Sequence, residues 1–246
     1  MTKLQAENIT VSFDGEKIIE NVSLAVNKGE TVSLLGVSGS GKTTLFNALS
    51  GLRAPDEGKV LLDGEDITGK AGKISYMLQK DLLLAHYTII DNVSLPLVIN
   101  GESKKEARSK AEPCFADFGL EGTEKKYPHE LSGGMRQRAA LLRTYLSCNG
   151  VALLDEPFSA LDAITKSSIH GWYLDIMEKI DLSTVFVTHD IDEAILLSDR
   201  IYILSGKPGT ITEEIKVDLP LPKKERDLLS DEFIKIKKHI KEKISF

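Results

Sequence analysis

Gly36-Val37-Ser38-Gly39-Ser40-Gly41-Lys42-Thr43 is the stretch of this sequence best equipped for chemistry. Its glycines let the backbone wrap closely around phosphate groups with several N–H groups pointing inward. Lys42 can bridge the β- and γ-phosphates of a nucleoside triphosphate, and the Thr43 hydroxyl can ligate Mg2+. A helix starting near Lys42 adds its positive end. Taken alone, the loop indicates nucleotide binding without choosing among kinases, GTPases and ATPases.

Two further stretches narrow the choice. Val151-Ala152-Leu153-Leu154-Asp155-Glu156 is an apolar run ending in two acids. A strand buried on both faces can hold Asp155 beside the phosphate loop to support Mg2+, and Glu156 one residue beyond can orient and deprotonate an attacking water. Leu131-Ser132-Gly133-Gly134-Met135-Arg136-Gln137-Arg138 reads, in isolation, as a capping turn and helix start.

These residues need elements to carry them. Thr31–Leu35 is a short apolar strand ending at Gly36, followed by a helix from Lys42 to about Leu49, with Gly51 as its stop. Upstream, Ile9, Val11 and Phe13 alternate with polar residues, and Ile18–Val26 gives a second strand-like run. Strands are expected at Lys59–Leu62 and Lys73–Leu78, and again at Val151–Leu154, Thr184–Thr188 and Arg200–Leu204 with helices between. That alternation indicates parallel β-α-β units. From about residue 80 to 147 the pattern is helical, with Ser103–Phe118 densely charged. Three parts are therefore expected: an α/β core from 1–79 and 148–222, a helical insertion at 80–147, and a C-terminal amphipathic helix at 223–246. Leu229, Phe233, Ile236, Ile240 and Ile244 form one stripe of that last helix, suited to docking on the core or a partner, or to a basic surface at lipid head groups.

Bulk properties exclude some classes. A net charge of −6 disfavours a generic nucleic-acid binder. Cys114 and Cys148 have no metal-site spacing and read as reduced thiols. The N-terminal Met1–Glu7 has no signal-peptide apolar region, and no apolar run approaches the roughly 20 residues that cross a bilayer.

With the loop upstream and the two-acid strand downstream, Leu131–Arg138 resembles the signature of the ABC ATPases, Met135 standing where Gln is frequent. The resemblance spans about Leu4 to Gly209. It implies a P-loop NTPase fold of the ABC type: α/β, with a mixed sheet and an inserted helical subdomain. It also implies ATP hydrolysis with Mg2+. Phe13 resembles the aromatic that stacks on adenine, with a core role as the alternative; Gln79 resembles the glutamine that senses Mg2+ and the attacking water. Ser159-Ala160-Leu161-Asp162 resembles the turn that crosses between subunits, and His189 the switch histidine, whereas His86, His129, His170 and His239 read as surface or satisfied residues. The implied catalytic set is Glu156, His189, Gln79 and Lys42. The metal set is Thr43, Gln79 and Asp155. Nucleotide contacts fall to Phe13, Gly36, Ser38, Gly39, Ser40, Gly41, Lys42, Thr43 and Thr44, with Ser132, Gly133 and Gly134 supplied by the other subunit.

Members of this family pair head to tail around two ATP molecules, so a second copy is an implied partner. In importers the region Lys80–Ile99 receives a short helix of the membrane-spanning permease, which implies a peripheral place on the cytoplasmic face of the membrane, an indirect link to a substrate-binding protein and no nucleic acid. Pro157–Thr165 and Leu204–Thr210 are similar to the nitrate/sulfonate/taurine importer group, which also includes importers of pyrimidine vitamin precursors. The rival readings are a soluble ABC ATPase of translation or DNA maintenance, whose usual second cassette or long coiled coil is missing here, and a P-loop kinase, which leaves Leu131–Arg138 and His189 unexplained.

Overall fold

The strands that carry the acidic residues and the loop are apolar throughout. β3 (Thr31–Leu35) and β8 (Ser183–Thr188) are buried along their whole length, and β7 (Val151–Asp155) up to its final acid. Such strands fit only the middle of a sheet covered on both faces. In the computed structural model, which describes residues 1–159, 161–220, 223, 226 and 228–244, they occupy that position. With β6 (Ser75–Met77), β9 (Arg200–Ser205) and β10 (Thr210–Lys216) they form a sheet of order β10-β9-β3-β8-β7-β6. All neighbours are parallel except β10, which pairs antiparallel with β9 at the edge. The phosphate loop, Glu156 and His189 therefore leave the same, carboxyl end of three adjacent strands, where open α/β sheets bind ligands.

A second sheet has the order β2-β1-β4-β5, from β1 (Thr2–Phe13), β2 (Glu16–Asn27), β4 (Glu57–Leu62) and β5 (Glu65–Asp66). Both long strands change phase midway. In β1 the buried apolar positions are Leu4 and Ala6, then Ile9 and Val11; in β2 they are Ile19, then Val22, Leu24 and Val26. A bulge beside each change lets both halves face the core, with Asn8 at φ 53° and Asn21 at φ 50° in the left-handed region that Asn tolerates. These inward residues pack with Leu45, Phe46 and Leu49 of α1 (Lys42–Leu49) and with one face of the large sheet.

Between β6 and β7 the chain forms α2 (Ile89–Ile99), α3 (Lys104–Ala111), α4 (Cys114–Asp117) and α5 (Gly133–Leu146). The charged run expected over Ser103–Phe118 thus breaks into two helices, with Pro113 at the break. Ser103 and Glu106 close a capping box at the start of α3. α6 (Ala163–Met177) and α7 (Ile191–Leu197) follow β7 and β8, and α6 packs with α5 in a core around Phe115, Phe158, Tyr173 and Phe186. Among the described residues no helix is long and apolar enough to cross a membrane.

α8 (Asp231–Ile244) closes the chain. Phe233 and Ile240 are buried against Ala194, Ile195 and Ile201, with Ile236 and Ile244 at their flank. Leu229, expected on that stripe, precedes the helix and is 82% exposed. The stripe itself docks on the core. Lys237 pairs with Asp192 at 2.6 Å and His239 with Glu213 at 2.6 Å, so part of the basic face is committed within the chain.

Asp91, in the first turn of α2, accepts from Thr88 Oγ1 at 3.0 Å and pairs with Arg108 at 2.7 Å and Lys104 at 3.3 Å. Burial opposes its charge, yet these partners outweigh it and hold the carboxyl below its ordinary range. A depressed carboxylate contributes stability that is complete above its unfolded value, about 4, and is lost as pH falls through the folded value. Asp91→Asn is therefore expected to lower stability at pH 7 by about 1 kcal/mol, Arg108 and Lys104 being partly in solvent, and to flatten the acid limb. Urea denaturation from pH 3 to 7 measures both; an unchanged acid limb would refute the assignment.

Candidate active site

β3 ends at Leu35, and the chain turns through the glycine loop into α1. Gly41 caps the helix at φ 96°, and a Cβ there would strike Ile19 of β2, so the position is closed to side chains twice over. Gly36 is equally confined, because a Cβ would run into the Leu204 carbonyl of β9. On the far side, the Gly209 segment donates to Ile18 O at 2.8 Å and passes so close to Ser40 O that only glycine fits.

The loop encloses a cavity of about 330 Å3 lined by Ile18, Ser38, Gly39, Gly41, Lys42, Thr43, Thr44, Asp155 and Glu156. Gly36 and Ser40 are buried beneath it and do not line it. The first-turn N–H groups of α1 have no acceptor within the helix and suit an anion. Lys42 lies folded over its own loop, its ammonium donating to Gly36 O at 2.8 Å and Val37 O at 3.0 Å. Burial pulls Lys42 below its ordinary value, against the charges of Glu156 and Asp155. Burial raises the Asp155 carboxyl above its ordinary value and the Glu156 charge adds to the rise; Tyr76, donating its hydroxyl at 3.1 Å from the neighbouring strand, and Lys42 offset it only in part. Hydroxyl and carboxylate oxygens on one wall are the donor chemistry of a hard cation such as Mg2+.

Glu156 follows β7 with φ 45°, a left-handed conformation that costs a residue with a side chain about 1–3 kcal/mol. Its amide is tied to Val187 O of β8 at 3.0 Å. The turn aims the carboxylate sideways: Gln79 Nε2 donates to it at 3.3 Å, and His189 Nδ1 stands 3.2 Å from its other oxygen. Gln79 also donates to Ser159 Oγ at 3.2 Å. Gln79, Glu156 and His189 thus meet in one cluster at the rim of the cavity. The turn after it includes Ala160, which lies outside the described residues.

A second hollow of about 790 Å3 opens from this cluster towards α5, lined among others by Gln79, Leu82, Leu83, Gly133, Glu156 and His189. Ser132 caps α5 by accepting from the Met135 amide at 3.3 Å, and its side chain is exposed. Ser132, Gly133 and Gly134 do not line the phosphate cavity. Two arginines of α5, two turns apart on one face, hold the segment after Gln79. Arg143 donates to Asp81 O at 2.5 Å and Leu82 O at 2.9 Å, and Arg136 donates to the Asp81 carboxylate at 3.2 Å and to Leu131 O at 2.9 Å. They fix Leu82 in a left-handed conformation, φ 46°.

Phe13 stands apart from the cavity lining, at the end of β1, 44% exposed. The Arg53 guanidinium lies 3.8 Å over the Phe13 ring. Sequence reasoning missed Ile18, Arg53 and Tyr76, whose contacts all cross between distant segments. For Arg136 and Arg143 a weak signal existed, since cations spaced seven apart share a helix face.

Comparison with known proteins adds an independent line. Residues 19–159 match the ABC transporter family. The chain is 46% identical over 222 residues to the formylaminopyrimidine import ATP-binding protein of Halalkalibacterium halodurans, covering 90% of this chain and 87% of that protein. It is 39% identical to an aliphatic sulfonates import ATP-binding protein of Bacillus cereus, covering 94% of each. With the nitrate import ATP-binding protein of Synechocystis sp. it shares 38% identity, over 82% of this chain and 76% of that one. A solved dimeric ATP-binding cassette in a post-hydrolysis state, bound to ADP and phosphate, superposes with a TM-score of 0.73 at 31% identity, covering 87% of this chain and 98% of that one.

Proposed function

We propose that this chain, which belongs to the ABC transporter family and is an ATPase of that family, is the ATP-hydrolysing subunit of an importer for a small solute. The observation that carries the catalytic reading is the Glu156 carboxylate, held at the rim of the phosphate cavity between Gln79 and His189. ATP phosphates enter the cavity, and Lys42 exchanges the carbonyls of Gly36 and Val37 for phosphate oxygens. Thr43 and Asp155, with Gln79, would hold Mg2+, which supplies charge neutralisation on the phosphates when bound. Glu156 orients the attacking water and takes its proton. His189 donates a ring N–H to the γ-phosphate. Adenine stacks on Phe13.

Ser132, Gly133 and Gly134 complete the site of a second copy in a head-to-tail pair. Their separation from the phosphate cavity of their own chain supports this reading. ATP then shifts the open–closed equilibrium by its greater affinity for the closed pair, and hydrolysis with phosphate release removes that bias. The hollow beside Leu82 and Leu83 takes a short helix of a membrane-spanning permease, which places the subunit peripherally on the cytoplasmic face. Cargo is read by the permease and a substrate-binding protein. We infer a small anion such as nitrate, a sulfonate or taurine, or a related small solute; relatives named for nitrate, aliphatic sulfonate and formylaminopyrimidine import support that range.

Co-expression with the membrane-spanning protein of the neighbouring genes tests the reading. The chain should be recovered from membranes with that protein, and its ATP turnover should rise when the cognate binding protein carries its solute. Recovery with ribosomes or DNA, without any membrane partner, would replace the importer reading with the soluble ATPase.

A further inference from the structure

Behind His189 lies a buried carboxylate that the proposed reaction does not use. Glu193, in α7, is 4% exposed. It accepts from Thr188 Oγ1 at 2.6 Å, stands 3.3 Å from His170 Nε2 and pairs with Lys166 at 2.5 Å. Lys166 and His170 are one turn apart on α6 and present a single face to it. Burial penalises the Glu193 charge, but the bonds from His170, Lys166 and Thr188 outweigh it and keep the carboxyl below its ordinary range. An ionised group in such a place is expensive to leave half-paired, so its partners are held tightly.

Two short paths lead from this carboxylate to the reacting cluster. Thr188 immediately precedes His189, and its hydroxyl also accepts the Asp190 amide at 2.9 Å, fixing the backbone on both sides of the histidine. Asp190 in turn caps α7 and pairs with Lys166 at 3.0 Å. On the other side, the His170 ring packs edge-on against Phe158 with centroids 5.1 Å apart, and Phe158 lies two residues beyond Glu156. Glu156 and His189, whose side chains meet at 3.2 Å, are therefore both anchored to one buried group.

We propose that Glu193 is a positioning residue for ATP hydrolysis, setting the spacing of Glu156 and His189 through His170 and Thr188 and tying the α6 end that follows Ser159 to the histidine segment. The inference rests on the roles assigned above to Glu156 and His189. A displacement of about 1 Å in such a pair is enough to cost up to ~100-fold in rate without touching the binding of substrate.

Thr188→Val tests it, because valine keeps the branched shape of a strand residue and removes only the hydroxyl. In the full-length protein, Thr188→Val and Glu193→Gln are expected to lower kcat roughly 10-fold or more, with ATP KM within about twofold of wild type. Thr188→Ser, which keeps the hydroxyl, restores kcat. In single-turnover assays on a His189→Ala background, Thr188→Val adds no further loss, since it acts through the histidine. An unchanged kcat in Thr188→Val, failure of serine to rescue, or an equal fractional loss on both backgrounds would overturn the proposal. Glu156→Gln and His189→Ala are measured alongside. If both turn over like wild type, the catalytic reading fails; if both are impaired and Thr188→Val is not, only the role of Glu193 fails.

Discussion

Glu156→Gln should retain ATP and accumulate a closed pair while hydrolysis falls roughly 10²–10⁴-fold, the range expected when a general base is removed. The amide keeps the length of the side chain and can still face Gln79 and His189, so the rim of the cavity keeps its shape. What disappears is the acceptor for the proton of water. Affinity for the nucleotide is not expected to fall, because the substitution removes a negative charge beside the phosphates. With binding intact and hydrolysis stopped, the bias towards closure is never released. Gel filtration with and without ATP reads the result directly. A variant that elutes as a monomer in saturating ATP would contradict both the role of Glu156 and the head-to-tail arrangement.

Lys42→Ala should lose ATP affinity instead. In the free protein the ammonium is satisfied by Gly36 O and Val37 O, both carbonyls of its own loop. Exchange of these for phosphate oxygens creates charge-assisted bonds worth about 1.5–3 kcal/mol each, so one lost bond weakens binding by roughly 10- to 100-fold. The fold should survive, since the loop is also held by Gly41 against Ile19 and by Gly209 against Ser40. Nucleotide titration followed by a thermal melt separates the two effects. Wild-type affinity in a folded Lys42→Ala protein would remove Lys42 from the phosphate site.

The two variants divide the site as the sequence divides it. Loop, acids and histidine were legible because each ends an apolar strand that could only be central, and parallel neighbours bring their carboxyl ends together. The helix at Lys42–Leu49 follows from the glycine before it. Local pattern gives no signal where tertiary context decides the structure. β10 half-buries Ile211, Glu213 and Ile215 on one face, and with a glutamate in that row the charged edge strand looks like a polar tail. Leu229 fits the helical stripe in spacing, yet α8 begins at Asp231, past it. The phase changes at Asn8 and Asn21 break the period that identifies a strand. Tyr76 and Glu193 act on Asp155 and Thr188 through folded proximity, which spacing in the chain does not encode.

One arrangement also governs how the molecule can be made. β3, which launches the phosphate loop, hydrogen-bonds to β8 on one side and β9 on the other, and the loop rests on Gly209. All of that support comes from residues 183–209, while the loop itself ends at Thr43. A ribosome releases the complete glycine motif long before either neighbour of its strand exists. The antiparallel sheet β2-β1-β4-β5 draws its strand pairings from residues 2–66 alone, so its ladder needs no late segment, although Gly209 later bonds to Ile18 at its edge. The apolar strand Thr31–Leu35 meanwhile waits unpaired, a segment for chaperones to shield. The supports of the phosphate loop are therefore complete only once the β9–β10 turn has left the exit tunnel.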